Sequence, residues 1–404
     1  MIENEVHNIL VIGMDVVPLA TSATKAGCKV YAVDYFGDQD LKRVCHESLS
    51  IVNQTPGVTC GQLSTNFNPE ALLHLTIGLL KKNAIDATLL STGLDDSPDV
   101  LFELNDMVPI LGNQPHVIER IRDKMKFFQE LERLGIPHPE TAMAQSFEET
   151  RKKAKDIGYP VLVKPSKGFG GVGIRKAQGP KELKQAFQDA SLIDEQVLIQ
   201  EYISGISASV SLISSNNETI TLTLNEQLLG VNELGQEDPF GYCGNVVPLV
   251  TTRSVMNKCK NTAEKIASHF GLVGSNGIDS VISKEGIPYV VEVNPRFQAT
   301  LECVERVLGI NMVEAHVKAC LQGILPIITK KTAVFCTRLI LFAPQRLVAP
   351  DLSILEEVRD IPIPEVIIEK GEPICSVVVD GAKREFSLRK AMATVKHIRK
   401  SLQS

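Results

Sequence analysis

The chain has 404 residues, of which 44% are hydrophobic and 22% charged, and its formal net charge is −6. Such a length exceeds what one hydrophobic core supports and predicts roughly two to four domains of ordinary soluble composition. The acidic balance leaves no cationic excess to neutralise a polymer of phosphates, which excludes nucleic acid as the main partner. No basic-then-apolar leader opens the chain, and no apolar run reaches about 18 residues, so a cytoplasmic location without membrane contact is expected. The nine cysteines are scattered and form no CxxC pair, so free thiols are expected rather than a zinc knot or a disulfide framework.

In chain order, Asn8 to Gly13 is a short buried-strand signal, followed by a helical stretch (Leu19 to Ala26) and a second strand from Lys29 that ends at Asp34. This strand–helix–strand unit hints at a dinucleotide fold, but the turn after Gly13 lacks the glycine-rich fingerprint, and an oxidoreductase reading has only Gly13 and Asp34 behind it. The α/β alternation continues through Leu80 and the strand Ala87 to Leu90, and a first domain ends near Gly112. Asn113 and Pro115 then open a helix that Gly135 closes, with Val117, Ile118, Ile121, Met125, Phe128 and Leu131 at helical spacing and Lys124 off that stripe.

The strand ending in Lys164 runs into Ser166-Lys167-Gly168-Phe169-Gly170-Gly171-Val172-Gly173. Although this matches GxGxxG, Pro180 follows too soon for a long helix directly after it, and Ile174 to Ala177 looks like a return strand. A glycine loop between antiparallel strands is a flap whose backbone amides can close over phosphates. The strand Val197 to Ile203 carries Gln200, Glu201 and Tyr202, a hairpin follows around Asn216-Asn217, and Gly241 to Asn245 reads as a substrate-side loop. Ser254 to Phe270 is an amphipathic helix.

Asn276 to Pro295 reads as a hairpin about the turn Ser283 to Gly286. Alternation puts Glu292 and Asn294 on one face, with Val291 and Val293 toward a core, and Asp279 lies on the neighbouring strand. Two carboxylates and an amide oxygen beside Arg296 make an oxygen cradle for Mg²⁺ (or Mn²⁺) next to a cation for an anionic group. After 323–331 the chain changes to short strands and a basic helix, a small C-terminal domain.

Taken together, Asp123-Lys124, Tyr159 to Pro165, the glycine flap, Gln200 to Ile203 and Glu292-Val293-Asn294-Pro295-Arg296 resemble the ATP-grasp superfamily, within it the carboligase-like group related to biotin carboxylase. Tyramine–glutamate ligase is a more distant likeness. The resemblance implies an α/β (α+β) chain: an N-terminal Rossmann-like domain over 1–112, an ATP-grasp domain over 113–330 (flap subdomain about 140–200, metal-site subdomain about 201–330) and a β-rich C-terminal domain over 331–404.

It also implies roles. Lys124, Lys164 and Lys167 would hold ATP phosphates, covered by Ser166 and the backbone of Gly168, Gly170, Gly171 and Gly173. Gln200, Glu201, Tyr202 and Ile203 would line the adenine. Asp279, Glu292 and Asn294 would ligate the metal, Arg296 with Lys164 would act on the acid or its acyl phosphate, and Gln298, Glu302 and Asn245 would border the acceptor. The implied activity is an ATP-dependent carboxylate–amine (or thiol) ligase using small-molecule acid and amine substrates, and a homodimer is compatible with it. Three departures from the family pattern stand out: Asp279 where Glu is usual, Gly205-Ile206-Ser207 where Gly-x-Glu is usual, and Phe169 inside the flap. The alternatives are a bicarbonate-activating enzyme, for which this sequence shows no Met-Lys-Met biotin acceptor, and a non-catalytic ATP-binding protein.

Overall fold

The structure is a computed structural model and describes residues 6–329 and 334–402. The expected boundary at 330–331 lies outside the described residues. The N-terminal unit is a four-stranded parallel sheet in the order Glu47–Ser50, Lys29–Asp34, Asn8–Ile12, Ala87–Leu90. Helices cover both of its faces, which is why its central strands are continuous apolar runs: Ile9, Leu10, Val11 and Ile12 have no solvent exposure. Its carboxyl edge carries Asp15, Asp34 and the loop 91–97, the edge where open parallel sheets receive ligands.

A second, antiparallel sheet orders Thr141–Ala144, Val197–Glu201, Val161–Pro165 and Arg175–Ala177. The last two strands pair directly, Val161 with Ala177 and Val163 with Arg175. The glycine loop is therefore a flap across the end of a hairpin, and no long helix springs directly from it.

The third sheet has eight strands, Pro288–Asn294, Gly274–Ser283, Gly205–Ser214, Thr219–Leu229, Tyr242–Val247, Phe335–Phe342, Pro373–Gly381 and Val358–Arg359. Its last three strands come from the C-terminal segment. Asn245 pairs with Arg338 across the join, so that segment is hydrogen-bonded into the large sheet rather than carrying a separate one. We propose 331–404 as a unit on the strength of the apolar cluster under the helix Arg384–Ser401, which includes Leu341, Val358, Ile374, Val377, Ala391 and Val395 and is joined by Leu234 and Cys243 from the preceding chain.

On one face of the large sheet the helix Arg253–Phe270 packs Ala263, Ile266, Ala267 and Phe270 against Ala208, Val210, Leu212, Leu224 and Ile278. Alternation then turns Ser209, Ser211, Asn225 and Asp279 to the opposite face, toward the N-terminal unit. Two local expectations are corrected. The register of the metal-type hairpin slips between Asp279 and Ser280, and this bulge makes Val290 and Val293, not Val291, the buried pair. The single helix expected over 113–135 is two, Pro115–Arg122 and Lys124–Arg133. Asp123 leaves the helical region and its side chain accepts from the Lys126 amide at 3.2 Å, because a carboxylate caps a new helix better than it continues an old one.

Candidate active site

The break at Asp123 aims two cations at one carboxylate. Lys124 Nζ lies 2.9 Å from Glu292 Oε1, and the Arg122 guanidinium donates to the same oxygen. Arg122 is also clamped by Asp96, with Nε 2.6 Å and Nη2 2.7 Å from the two carboxylate oxygens. Burial alone would raise the Glu292 carboxyl, but Lys124 and Arg122 outweigh it and hold it well below the usual carboxylate range. Glu292 and Asp96 in turn hold the Arg122 guanidinium charged despite its burial.

Lys164 joins this cluster from the strand Val161–Pro165. Burial brings its amine down to about 8, with the Lys124 charge pushing the same way and the Glu292 charge opposing. Across the hairpin Asp279 pairs with Glu292 in register. Burial raises the Asp279 carboxyl to about 6, and the Glu292 charge adds to the rise. Asn294 Nδ2 donates to Asp279 at 3.0 Å, and its Oδ1 accepts from Arg296 at 2.9 Å. Arg296 Nε in turn lies 2.8 Å from Asp95.

The oxygen set suits a hard divalent ion that completes its shell with phosphate oxygens: two in-register carboxylates and an amide, without sulfur or imidazole. Among the described residues no group of three or more Asp, Glu, His or Cys forms a self-sufficient cage. Asp279, Glu292 and Asn294 would therefore hold such an ion only together with ligands from outside these three side chains.

The flap lies closed. Gly168 N–H donates to Asp96 at 3.3 Å, Phe169 packs edge-on to Phe67 of the N-terminal unit with ring centroids 5.6 Å apart, and the Gly170 carbonyl accepts from the Tyr242 amide at 2.8 Å. Gly171 sits at φ 77°, and a Cβ there would meet the Phe240 carbonyl oxygen at 2.0 Å, so only glycine lets the flap come this close. Ser166 Oγ and the Lys167 amide are both taken by Asp194, and Lys167 is exposed.

In the second sheet Gln200 is buried and donates to Thr141, Glu201 accepts from the Glu140 amide, and Lys176 lies 3.5 Å over the Tyr202 ring; Ile203 is half-buried. Asn245 is fully buried, and Gln298 lies over Ser211. Glu302 is held by Arg306 and Arg359 at 2.6 and 3.1 Å, away from the Glu292 cluster.

The structure thus brings together Lys124, Lys164, Asp279, Glu292, Asn294 and Arg296. Sequence reading missed three members of the same network, Arg122, Asp95 and Asp96. The available signal was a tandem acid following a strand and a glycine, at the edge where parallel sheets bind ligands.

The fold and site define an α/β protein in which a glycine flap closes over a cluster of lysine, arginine and carboxylate side chains. Residues 121–300 match the family model of the ATP-grasp domain. It is 29% identical over 378 residues to an uncharacterized protein of Methanocaldococcus jannaschii, covering 91% of this chain and 87% of that one. It is 28% identical over 248 residues to the carbamoyl phosphate synthase arginine-specific large chain of Bacillus subtilis, which is 61% of this chain but 24% of that one. Biotin carboxylase of Campylobacter jejuni, solved as a complex with β,γ-ATP, superposes with a TM-score of 0.74 over 96% of this chain and 90% of that one at 20% identity, a likeness of fold. Among the described residues no helix is long and apolar enough to cross a membrane.

Proposed function

We propose that this protein is an ATP-dependent carboxylate–amine (or thiol) ligase. The observation that carries the reading is the convergence of Lys124, Lys164 and Glu292 with Asp279, Asn294 and Arg296 beneath a closed glycine flap. Lys124 and Lys164 bind phosphate oxygens as point charges, and the backbone of Gly168 to Gly173 excludes water above them. Glu201, Tyr202 and Ile203 border the adenine. Asp279, Glu292 and Asn294 would hold Mg²⁺ or Mn²⁺, which would offset the charge of the phosphates.

A carboxylate oxygen of the acid attacks the γ-phosphorus, the bond from phosphorus to the β,γ-bridging oxygen breaks, and ADP leaves. The lysines stabilise the charge spread over the transferring group. Arg296, by exchanging its Asp95 partner for the incoming carboxylate, positions the acid. The amine then attacks the acyl carbon, phosphate departs and the nitrogen loses a proton, while the closed flap protects the acyl phosphate from water.

ADP release from purified protein, measured against a panel of carboxylic acids each paired with amines and thiols, tests the reading. ADP is expected only where a matched acid and nucleophile are both present. ADP release driven by bicarbonate alone, or ATP binding without ADP under every pairing, overturns it.

A further inference from the structure

On the site-facing side of the large sheet a lane of uncharged polar side chains leads from Asp279 toward Arg338. Cross-strand register sets Asp279 opposite Ser209, Ser209 opposite Asn225, Gln227 opposite Asn245, and Asn245 opposite Arg338. Asn225 and Asn245 have no solvent exposure. Within the lane Asn225 Nδ2 donates to Ser211 at 2.9 Å and to Ser209 at 3.2 Å, and Asn245 Nδ2 donates to Tyr242 Oη at 2.7 Å. Ser211 Oγ also contacts Gln298 Oε1 and Thr300 Oγ1, each at 3.1 Å, and it accepts from the Asn225 amide nitrogen, so the Asn225 amide oxygen points elsewhere.

That oxygen has no partner, and neither do Asn245 Oδ1, the Thr223 hydroxyl or Gln298 Nε2. Buried polar atoms left unpaired cost about 1–3 kcal/mol each, so several along one lane mark a place built for something else to bind. Space for Gln298 is itself made by Gly277, where a Cβ would lie 0.8 Å from its Nε2.

We propose that this lane seats the nucleophile, with the amide oxygens of Asn225 and Asn245 accepting the N–H bonds of a primary amine. The inference rests on the ligase reading and names its second substrate class. Successive strands lie about 4.8 Å apart, which puts Asn225 roughly 10 Å from Asp279, within reach of an acyl group activated at the Arg296 end of the site. Unpaired acceptors match an amine with two N–H bonds better than a thiol with one weak donor.

Neutral oxygens also suit the chemistry. A carboxylate would hold the ammonium form, whose lone pair is blocked, whereas amide oxygens orient the free base without that bias. On the Asn225 strand Glu226 alternates to the other face and is taken up by Arg384 at 2.5 and 2.6 Å, and the carboxylate at the end of the lane, Asp279, is engaged by Asn294 and Gln227. The flap borders the lane as well, since its Gly170 carbonyl is bonded to Tyr242, whose ring hydroxyl is the partner of Asn245. Opening the flap for nucleotide exchange breaks the first of these contacts and loosens the border of the seat.

The test uses the full chain with ATP, an active acid from the panel, and hydroxylamine, methylamine and ammonium as minimal amines, with 2-mercaptoethanol as the thiol comparison. Asn225→Ala and Asn245→Ala each raise KM for the amine about tenfold, the loss of one hydrogen bond, while KM for ATP and for the acid stay within about twofold. Asn225→Asp moves the acid limb of the amine-dependent rate to higher pH, because the new carboxylate retains the ammonium ion. Asn225→Ser serves where the alanine variant fails to fold. If amine KM is unmoved while acid KM rises, or if the variants lower only the melting temperature, the lane holds the acid or buried water and the proposal is overturned. Absence of ADP from the unaltered protein with every pairing sinks the ligase reading itself, a result distinct from either of these.

Discussion

Arg122 and Glu292, 170 positions apart in sequence, are joined as an ion pair, and the arginine shares carboxylate oxygen Oε1 with Lys124. A single carboxylate thus balances two enclosed cations, and Asp96 balances Arg122 from the other side. In this resting arrangement the arginine and lysine occupy the negative charge that a divalent ion would otherwise meet.

Glu292→Gln keeps the shape but removes the charge. ADP release is expected to fall at least about a hundredfold, since the charge needed in the transition state is gone, while ATP still binds through the lysines. Loss of this part-buried pair also lowers stability, visible as an earlier midpoint in a urea melt. Turnover unchanged in this variant, measured as ADP formed per minute, refutes the role given to the hairpin.

The Lys164 amine, held near 8 by burial, predicts how nucleotide affinity follows pH. Below pH 8 the free protein already carries the charge that phosphates need. Above it the lysine is neutral in the free protein and must take up a proton as ATP binds, so affinity falls by up to about tenfold per unit of rising pH. Calorimetry in buffers of different ionisation heat reads that proton uptake directly. Lys164→Arg flattens the slope; a slope that persists in the arginine variant assigns it to another group.

His316 ties the N-terminal unit to the large sheet. Its Nδ1 accepts the Ser275 amide at 2.8 Å and its Nε2 donates to the Leu111 carbonyl at 2.9 Å, against the face of Phe297. Burial depresses its pKa from 6.5 to about 4, with the bond to Leu111 opposing. The unfolded chain binds a proton on this residue below pH 6.5 and the folded chain does not until about pH 4. Stability from this group is therefore complete above pH 6.5 and lost progressively toward pH 4, by about 3 kcal/mol in all. Urea midpoints at pH 7.5, 6 and 5 measure the loss, and His316→Gln removes that part of the slope. Equal slopes in both proteins eliminate His316 as the cause.

Local sequence by itself determined the elements whose signals lie within one stretch of chain. Apolar runs specified the buried parallel strands, the Val161-to-Lys164 strand and its return strand specified a flap rather than a helix-capping loop, and alternation put Glu292 and Asn294 on one face. What sits opposite a residue is decided by strand order and by the packing of one unit on another, neither of which is written locally. Tertiary structure alone chose Arg122 and Lys124 as the partners of Glu292, brought Asp95 and Asp96 from the N-terminal edge to Arg296 and Arg122, and hydrogen-bonded the C-terminal strands into the large sheet. It also decided the slip at Asp279, because a bulge arises where backbone pairing and side-chain packing between two strands compete, and neither strand carries that contest alone.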